Sequence, residues 1–312
     1  MTLRLVNTTS SAIARGISSE RHRLGTPTAG MVLTLIVVTD EQDQAAATRA
    51  ANTAASAHPC RILVLIERPT DGASRLDAEI DIGEREGPGE TITMRLSGHL
   101  AEHQASVVLP LLLADTPVVV WWPAGCPPIP ADDEVGILAQ RRVTDSGAVR
   151  KPLAALHARN ASYRPGDTDL AWTRLTPWRT TLAAAFDEPF DTPTAITVEC
   201  GPADPSGPLL ASWLGARLGA PAAVTEAPGS DIASVTIDTA GGAITLARLD
   251  ATMASLTRPG VPTRNLPLRM RELADLLAEE LRHLDSDEIY AQALSNLPKQ
   301  PADKRTRGKA PS

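Results

Sequence analysis

Aromatic residues are scarce in this chain. Phe, Tyr and Trp make up 3% of it, and five of the nine are tryptophan. The core must therefore be aliphatic, and each indole marks a position that needs a reason. Cysteine is nearly absent: Cys60, Cys126 and Cys200 lie far apart and form no Cys-x-x-Cys pair. That excludes a disulfide framework and a thiol-exchange or zinc signature, and fits a reducing compartment. Long apolar runs are missing too. The longest early one, 31–38, is far short of the ~20 residues a membrane span needs. Arg4, Arg15 and Arg21 interrupt any secretory signal, so a cytoplasmic location is expected. An excess of positive charge is also lacking. The formal net charge of −7 argues against nucleic acid or an anionic membrane as the main partner, since both select a basic face.

What is present is enough apolar residue, 43% of 312, to bury a sizeable core, at a length that suggests about two domains. Residues 8–24 carry Ile13, Ile17 and Leu24 at helical spacing, weakened by Gly16. The continuous β-rich run 31–38 reads as a strand covered on both faces. Asp40, Glu41 and Asp43 then suit a helix start, the Ala-rich stretch 42–57 suits the helix, and 60–66 is a second apolar run. Strand, helix, strand at this spacing reads as a right-handed βαβ unit. Alternation at Leu76, Ala78, Ile80 and Ile82, and again at Ile92, Met94 and Leu96, predicts an antiparallel pair around a Gly/Pro-rich loop at 83–90. Residues 99–114 have helical spacing, and 117–122 form the next strand.

A cluster of Pro123, Pro127, Pro128 and Pro130 opens a long connection over 123–168 with a short helix inside it. Beyond it a helix through Phe186 is interrupted at Thr176-Pro177, where a fresh start is expected. A strand at 195–199, a helix at 208–218 closed by Gly219, and a strand at 222–226 follow. A hairpin turns at Ala240-Gly241-Gly242, and a further strand lies at 252–257. The stripe Met270, Leu273, Leu277, Leu281 and Leu284 predicts a helix over 267–284, and Asp285 with Glu288 boxes a last one through Leu297. The expected fold is α/β with mixed α+β features. It comprises an N-terminal domain at 1–165 and a C-terminal domain at 166–297, each a mixed sheet flanked by helices, with a disordered basic tail at 298–312.

The sharpest catalytic pattern is His99-Leu100-Ala101-Glu102-His103, an H-x-x-E-H match to inverted zinc peptidases. On an α-helix, His99 and His103 would share a face and could share a metal. A third ligand would have to come from Glu134 or Glu188, neither on a suitable helix, so surface histidines are the plainer reading. Nucleotide signals are missing. Gly83 to Gly89 is not G-x-G-x-x-G, no Walker A exists, and no G-x-S-x-G elbow occurs. Cys60 beside His58 reads as buried rather than reactive. Arg141-Arg142 and Arg150-Lys151 read as solvated charges of the connection, with a sugar-phosphate site as a weaker alternative. No catalytic set and no cofactor are expected.

Two tryptophan segments remain. In Trp121-Trp122-Pro123, adjacent strand residues point to opposite faces, so one ring enters the core and the other faces outward or lies under a second helix layer. In the second, Trp172 shares a face with Leu175, Leu182 and Phe186, and Trp178 lies near Arg174 and Arg179. Trp with Arg is the composition of binding hot spots. Trp121, Trp122, Pro123, Trp172, Arg174, Trp178 and Arg179 are therefore candidate partner-binding residues, with packing inside or between domains as the alternative.

The stretches His58-Pro59-Cys60-Arg61-Ile62, Leu109 to Pro117 running into Val120-Trp121-Trp122-Pro123, and Gly166 to Arg174 followed by Thr176-Pro177-Trp178-Arg179 carry a further signal. Together with the Arg-Glu-Leu-Ala-Asp-Leu-Leu helix near 271, they resemble the glucose-6-phosphate dehydrogenase assembly protein family, OpcA, of actinobacteria and cyanobacteria. The resemblance covers residues 10 to 297. It implies a non-catalytic protein whose partner is glucose-6-phosphate dehydrogenase. Such a protein favours the assembled oligomer and raises its activity, and so controls entry into the oxidative pentose phosphate pathway and NADPH supply. The family's cyanobacterial branch is associated with thioredoxin-type control, which a chain without Cys-x-x-Cys does not inherit. The resemblance supplies no binding residues to transfer.

Overall fold

A computed structural model describes residues 2–25, 30–68, 73–83, 89–186 and 190–298. The loop at 84–88, Glu188 and the tail from 299 onward lie outside the described residues. The chain opens with β1 (Thr2–Leu5), α1 (Ser10–Leu24), β2 (Leu33–Thr39), α2 (Gln44–Ala55), β3 (Cys60–Arg68), β4 (Arg75–Ile82) and β5 (Glu90–Ser97). It continues through α3 (Gln104–Val108), β6 (Val118–Trp121), β7 (Arg141–Thr144), α4 (Pro152–Ser162), β8 (Asp167–Asp169), α5 (Leu170–Thr173) and α6 (Thr176–Ala185). The last part holds β9 (Pro193–Cys200), α7 (Ser206–Leu218), β10 (Ala222–Glu226), β11 (Ile232–Thr239), β12 (Gly242–Arg248), β13 (Met253–Arg258), β14 (Val261–Pro267), α8 (Leu273–Arg282) and α9 (Glu288–Ser295). The result is a mixed α/β architecture of two sheets flanked by helices.

The first sheet has the order β1-β4-β5-β3-β2-β6-β7-β8. Strands β5, β3, β2, β6, β7 and β8 are mutually parallel, and β4 and β1 close one edge antiparallel. Parallel strands buried on both faces need apolar residues on both, which is why β2 and β3 read as unbroken runs. One face carries Ile36, Leu63 and Val120 under Ile13 and Ile17 of α1. Gly16 lets that helix lie close: a Cβ there would come within 2.9 Å of Ile80 Cδ1 on β4. The other face carries Leu35, Val64 and Trp121 under α2 and α8. Ala47, Ala50, Ala51 and Ala54 give α2 a small-residue stripe at i, i+3, i+4 and i+7, so α8 packs against it with Leu276, Leu277 and Leu281.

The second sheet has the order β10-β9-β11-β12-β13-β14, parallel at β10–β9 and an antiparallel meander elsewhere. Its core packs Val198, Val235, Ile237 and Leu246 against Leu209, Leu210 and Leu214 of α7, Trp178 and Leu182 of α6, and Tyr290 and Leu294 of α9.

Several expectations are corrected. Residues 99–114 are not one helix. A 3₁₀ segment, Gly98–Glu102, ends at His103 (φ −128°, ψ 44°), the five-residue α3 follows, and a second 3₁₀ turn begins at Leu109-Pro110, where proline lacks the N–H to continue. The helix expected over 267–284 starts only at Leu273. Residues 261–267 form the edge strand β14, so Met270 lies outside the stripe and is exposed. Leu276 takes the buried place instead. Asp287, not Asp285, caps α9 by accepting from Tyr290 N–H (2.9 Å). Leu24 is exposed at the end of α1, and the connection contains the buried strand β7.

Candidate functional site

The structure first decides the fate of the candidate tryptophans. Trp121 and Trp122 point to opposite faces of β6, as pleating requires, but helices cover both faces. The rings are 0% and 2% exposed, and Pro123 is buried behind them. Trp121 meets α8 and Trp122 lies on the α1 side. Trp172 is 1% exposed, donates its Nε1–H to Asp287 (2.8 Å), and is stacked by the Arg179 guanidinium at 3.9 Å. Trp178 is 3% exposed beneath Arg248. Of the two alternatives, the second holds: no ring of the pair faces outward, and Trp121, Trp122, Trp172 and Trp178 join Tyr290 as the large buried rings of the aliphatic core.

Of that set, Arg174 and Trp178 border a cleft between α6, the start of α7, β12 and residues 269–271, with Asp204, Asp231, Arg248 and Arg271 also on its walls. Its charges are largely satisfied internally. Arg174 holds Asp145 with two bonds of 2.7 Å, and Arg271 pairs with Glu279. Burial pushes the Asp145 and Asp204 carboxyls above the usual range, more than Arg174 pulls Asp145 down.

Arg141 and Arg142 are neither solvated nor free for a sugar phosphate, because both sit on buried β7. Arg141 Nε donates to Glu280 of α8 (2.8 Å) and its Nη1 to the Asp285 carbonyl (2.6 Å). Arg142 binds Asp167 and the Ala139 carbonyl. Two consecutive arginines in the long connection gave no sequence signal that they lay on a strand.

The H-x-x-E-H pattern does not form a metal pocket. In a 3₁₀ turn residues i and i+3 eclipse, so His99 faces Glu102 (3.7 Å), while the break at His103 turns that ring toward Glu134 (3.7 Å). All four side chains are largely exposed, and among the described residues no group of three His, Cys, Asp or Glu could hold a metal ion. Nor is there a poised thiol: burial pushes Cys60 up to about 12 and Cys200 to about 11, and raises Cys126.

The sheet order itself points to one more place. Along the parallel strands the chain order reverses between β2 and β6, and ligands of such sheets bind outside the strand ends at that switch. A cleft of about 380 Å³ lies there, bordered by Thr39, Asp40, Asp43, Glu67, Trp122 and Asp133. Asp40 Oδ1 accepts the Asp43 N–H (2.9 Å) in the turn that precedes α2, so two carboxylates, Asp40 and Asp43, stand beside the helix start. Burial first, then Asp133 and Asp40, push Glu67 up although Gln104 donates to it. Four carboxylates, Asp40, Asp43, Glu67 and Asp133, thus line the crevice, a charge that disfavours a phosphate group there. The acids at 40–43 had been legible only as favourable helix-start charges.

Comparison with known proteins adds the decisive observation. Residues 51–161 match the model of the glucose-6-phosphate dehydrogenase subunit N-terminal domain, and residues 165–294 match that of the C-terminal domain. The chain belongs to the OpcA family. The two matches span β3 to α9 and include the tryptophan segments just described, whereas β1, α1 and β2 precede them. A protein of Synechocystis sp., the candidate OxPP cycle protein OpcA, is 29% identical over 154 residues, 45% of this chain and 31% of that relative. The matched stretch is thus less than a third of the relative's length. Among solved structures, an oxidoreductase from Sinorhizobium meliloti aligns with a TM-score of 0.41 at 12% identity, covering 85% of this chain and 86% of that one. A UDP-N-acetylglucosamine 3-dehydrogenase from Acidithiobacillus ferrooxidans gives 0.31 at 12% identity, covering 84% and 94%. Among the described residues of this OpcA-family chain, no helix is long and apolar enough to cross a membrane.

Proposed function

We propose that this chain is a non-catalytic cytoplasmic protein that binds glucose-6-phosphate dehydrogenase, favours its assembled oligomer and activates it, thereby controlling entry into the oxidative pentose phosphate pathway and NADPH supply. The observation that carries this reading is the pair of family matches, which run through both halves of the chain. The internal chemistry agrees with it. The arginines that could have held a substrate anion are spent on Glu280, Asp167 and Asp145, and the sheet's switch-point crevice is acidic.

The physical mechanism is linkage. A binder that prefers the assembled state shifts the population toward it by its differential affinity and no more. A hundredfold preference is worth about 2.7 kcal/mol. Of the sequence-derived residues, Trp122 borders the switch-point crevice, and Arg174 and Trp178 border the cleft at the junction of α6 and residues 269–271, so in this reading contact reaches the partner there through Arg174, with the buried Trp178 behind it. Trp172 and Arg179 act behind that surface by holding its shape, and Trp121, Trp122 and Pro123 do the same for the first sheet.

The test is a titration of the cognate dehydrogenase with this protein, reading activity and light scattering together. A saturable rise in rate with a larger complex is expected. No co-migration and no change in rate would overturn the proposal.

A further inference from the structure

The helix layer over the second sheet is incomplete. Trp178 and Leu182 of α6 reach the core beside Leu246 and Ala254, and α7 lies over β9 and β10. Beyond α6, toward the edge strand β14, Leu256 and Leu266 are only half-buried, and every other residue of β14 is exposed. A cleft of about 370 Å³ runs there, with Ala184, Leu256, Val261 and Leu266 as its apolar walls and Arg258 and Arg264 beside them. The register pairs Leu256 with Arg264 and Ala254 with Leu266, so Arg264 lies on the helix side of the sheet, at the open rim.

Charge and backbone chemistry say what fits. From Ala251 to Arg271 the chain carries Arg258, Arg264, Arg269 and Arg271 and no carboxylate, in a protein of net charge −7. Arg271 is paired with Glu279 and, with Arg269, lies at the cleft beside Trp178, so the groove itself carries Arg258 and Arg264, and that positive charge on an acidic molecule selects an acidic partner. Pro262 and Pro267 lack the N–H that a partner strand would need, so strand addition along β14 is disfavoured. A helix laid beside α6 would instead complete the layer and bury Leu256, Val261 and Leu266.

We propose that this groove docks an amphipathic helix of a protein partner, with an apolar stripe seated against Leu256, Val261 and Leu266 and carboxylates flanking it toward Arg264. The apolar floor favours protein over nucleic acid or membrane, whose phosphates leave it unfilled. The proposal deepens the binding reading above and rests on it only for the identity of the natural partner.

The test uses the full chain and a fluorescent amphipathic peptide of about 18 residues, five helical turns, with leucines at i, i+3, i+4 and i+7 and glutamates elsewhere. A lysine counterpart serves as control. Two variants on exposed positions, Arg264→Glu and Ala184→Trp, alter the rim and fill the groove; both should keep the wild-type melting curve. The acidic peptide should bind, the lysine peptide should not, and each variant should weaken binding on the order of tenfold. Equal binding of both peptides, equal binding by the variants, or variant-sensitive binding of duplex DNA or phosphatidylserine vesicles without peptide binding would each overturn the proposal.

The dehydrogenase titration separates the two readings. If wild type and both variants activate equally, the groove is overturned as the dehydrogenase's docking surface while the function stands. If wild type has no effect on the enzyme, that function falls, and variant-sensitive peptide binding still supports the groove.

Discussion

At Glu280 one carboxylate accepts from Arg141 on β7 and from Thr173 on α5, while its own helix lies more than a hundred residues further along the chain. Both partners of the ion pair are nearly sealed, 3% and 4% exposed. Such pairs contribute little net stability, because desolvating two charges offsets most of their attraction, but breaking one leaves an uncompensated buried charge. Glu280→Ala should therefore lower unfolding free energy by about 3–5 kcal/mol, read by urea denaturation. Glu280→Leu combined with Arg141→Met should recover most of that loss. If the double variant is as unstable as the single one, the pair itself, and not the orphaned charge, is what matters. Asp204 makes stability depend on pH. Burial raises its carboxyl above the unfolded Asp value of ~3.9, so the native state binds the proton more tightly. The stability linked to it is present below that value and lost as pH rises through the folded pKa. Asp204→Asn can still accept the Ser206 N–H (2.8 Å in the wild type) without burying charge. Melting curves from pH 4 upward should fall less steeply for the variant, and identical pH slopes would refute the assignment.

Among elements, α7 shows how closely a helix can be set on a sheet. A Cβ on Gly207 would lie 2.3 Å from Cys200 Sγ on β9, so the helix cannot carry even alanine there without moving. Gly207→Ala should destabilise by about 1–3 kcal/mol through overpacking, and Cys200→Ala in the same chain should relieve part of it. Additive losses in the double-mutant cycle would mean the contact is looser than it looks. That contact could not be read from sequence, whereas much of the fold could. The unbroken runs of β2 and β3 and the alternation of β4 and β5 announce their burial, and Thr176-Pro177 marks the start of α6, because these patterns are local. What escaped the reading depends on distant partners. β7 is written Arg-Arg-Val-Thr and is buried only because Glu280 and Asp167 neutralise it. β14 holds two prolines and an arginine, which carry no strand signal of their own, but its register with β13 makes it a strand. The candidate site fared similarly. Composition singles out Trp and Arg, yet whether an indole faces water is set by α1, α2 and α8, which its own neighbours do not encode.

For the whole molecule the question is whether the halves proposed at 1–165 and 166–297 are independent. Strand β8, the edge of the first sheet, begins at Asp167, and α8, which covers one face of that sheet, begins at Leu273. Leu276, Leu277 and Leu281 are all buried against α2 and the first sheet. Burying each is worth about 1.5–3 kcal/mol, so together about 5–9 kcal/mol, against a typical net stability of about 5–15 kcal/mol. Removing α8 therefore withdraws most of the margin on which the first sheet stands, and Glu280 leaves with it. The intact chain should accordingly unfold as one unit. Trp121 and Trp122 report on the first sheet and Trp172 and Trp178 on the second, so tryptophan fluorescence and far-UV circular dichroism should share one urea midpoint. A fragment of residues 1–165 should bind a hydrophobic dye and lack a cooperative transition. A fragment that melts cooperatively at the full-length midpoint would show instead that the first sheet holds itself together, and that α8 is an ornament on a finished domain.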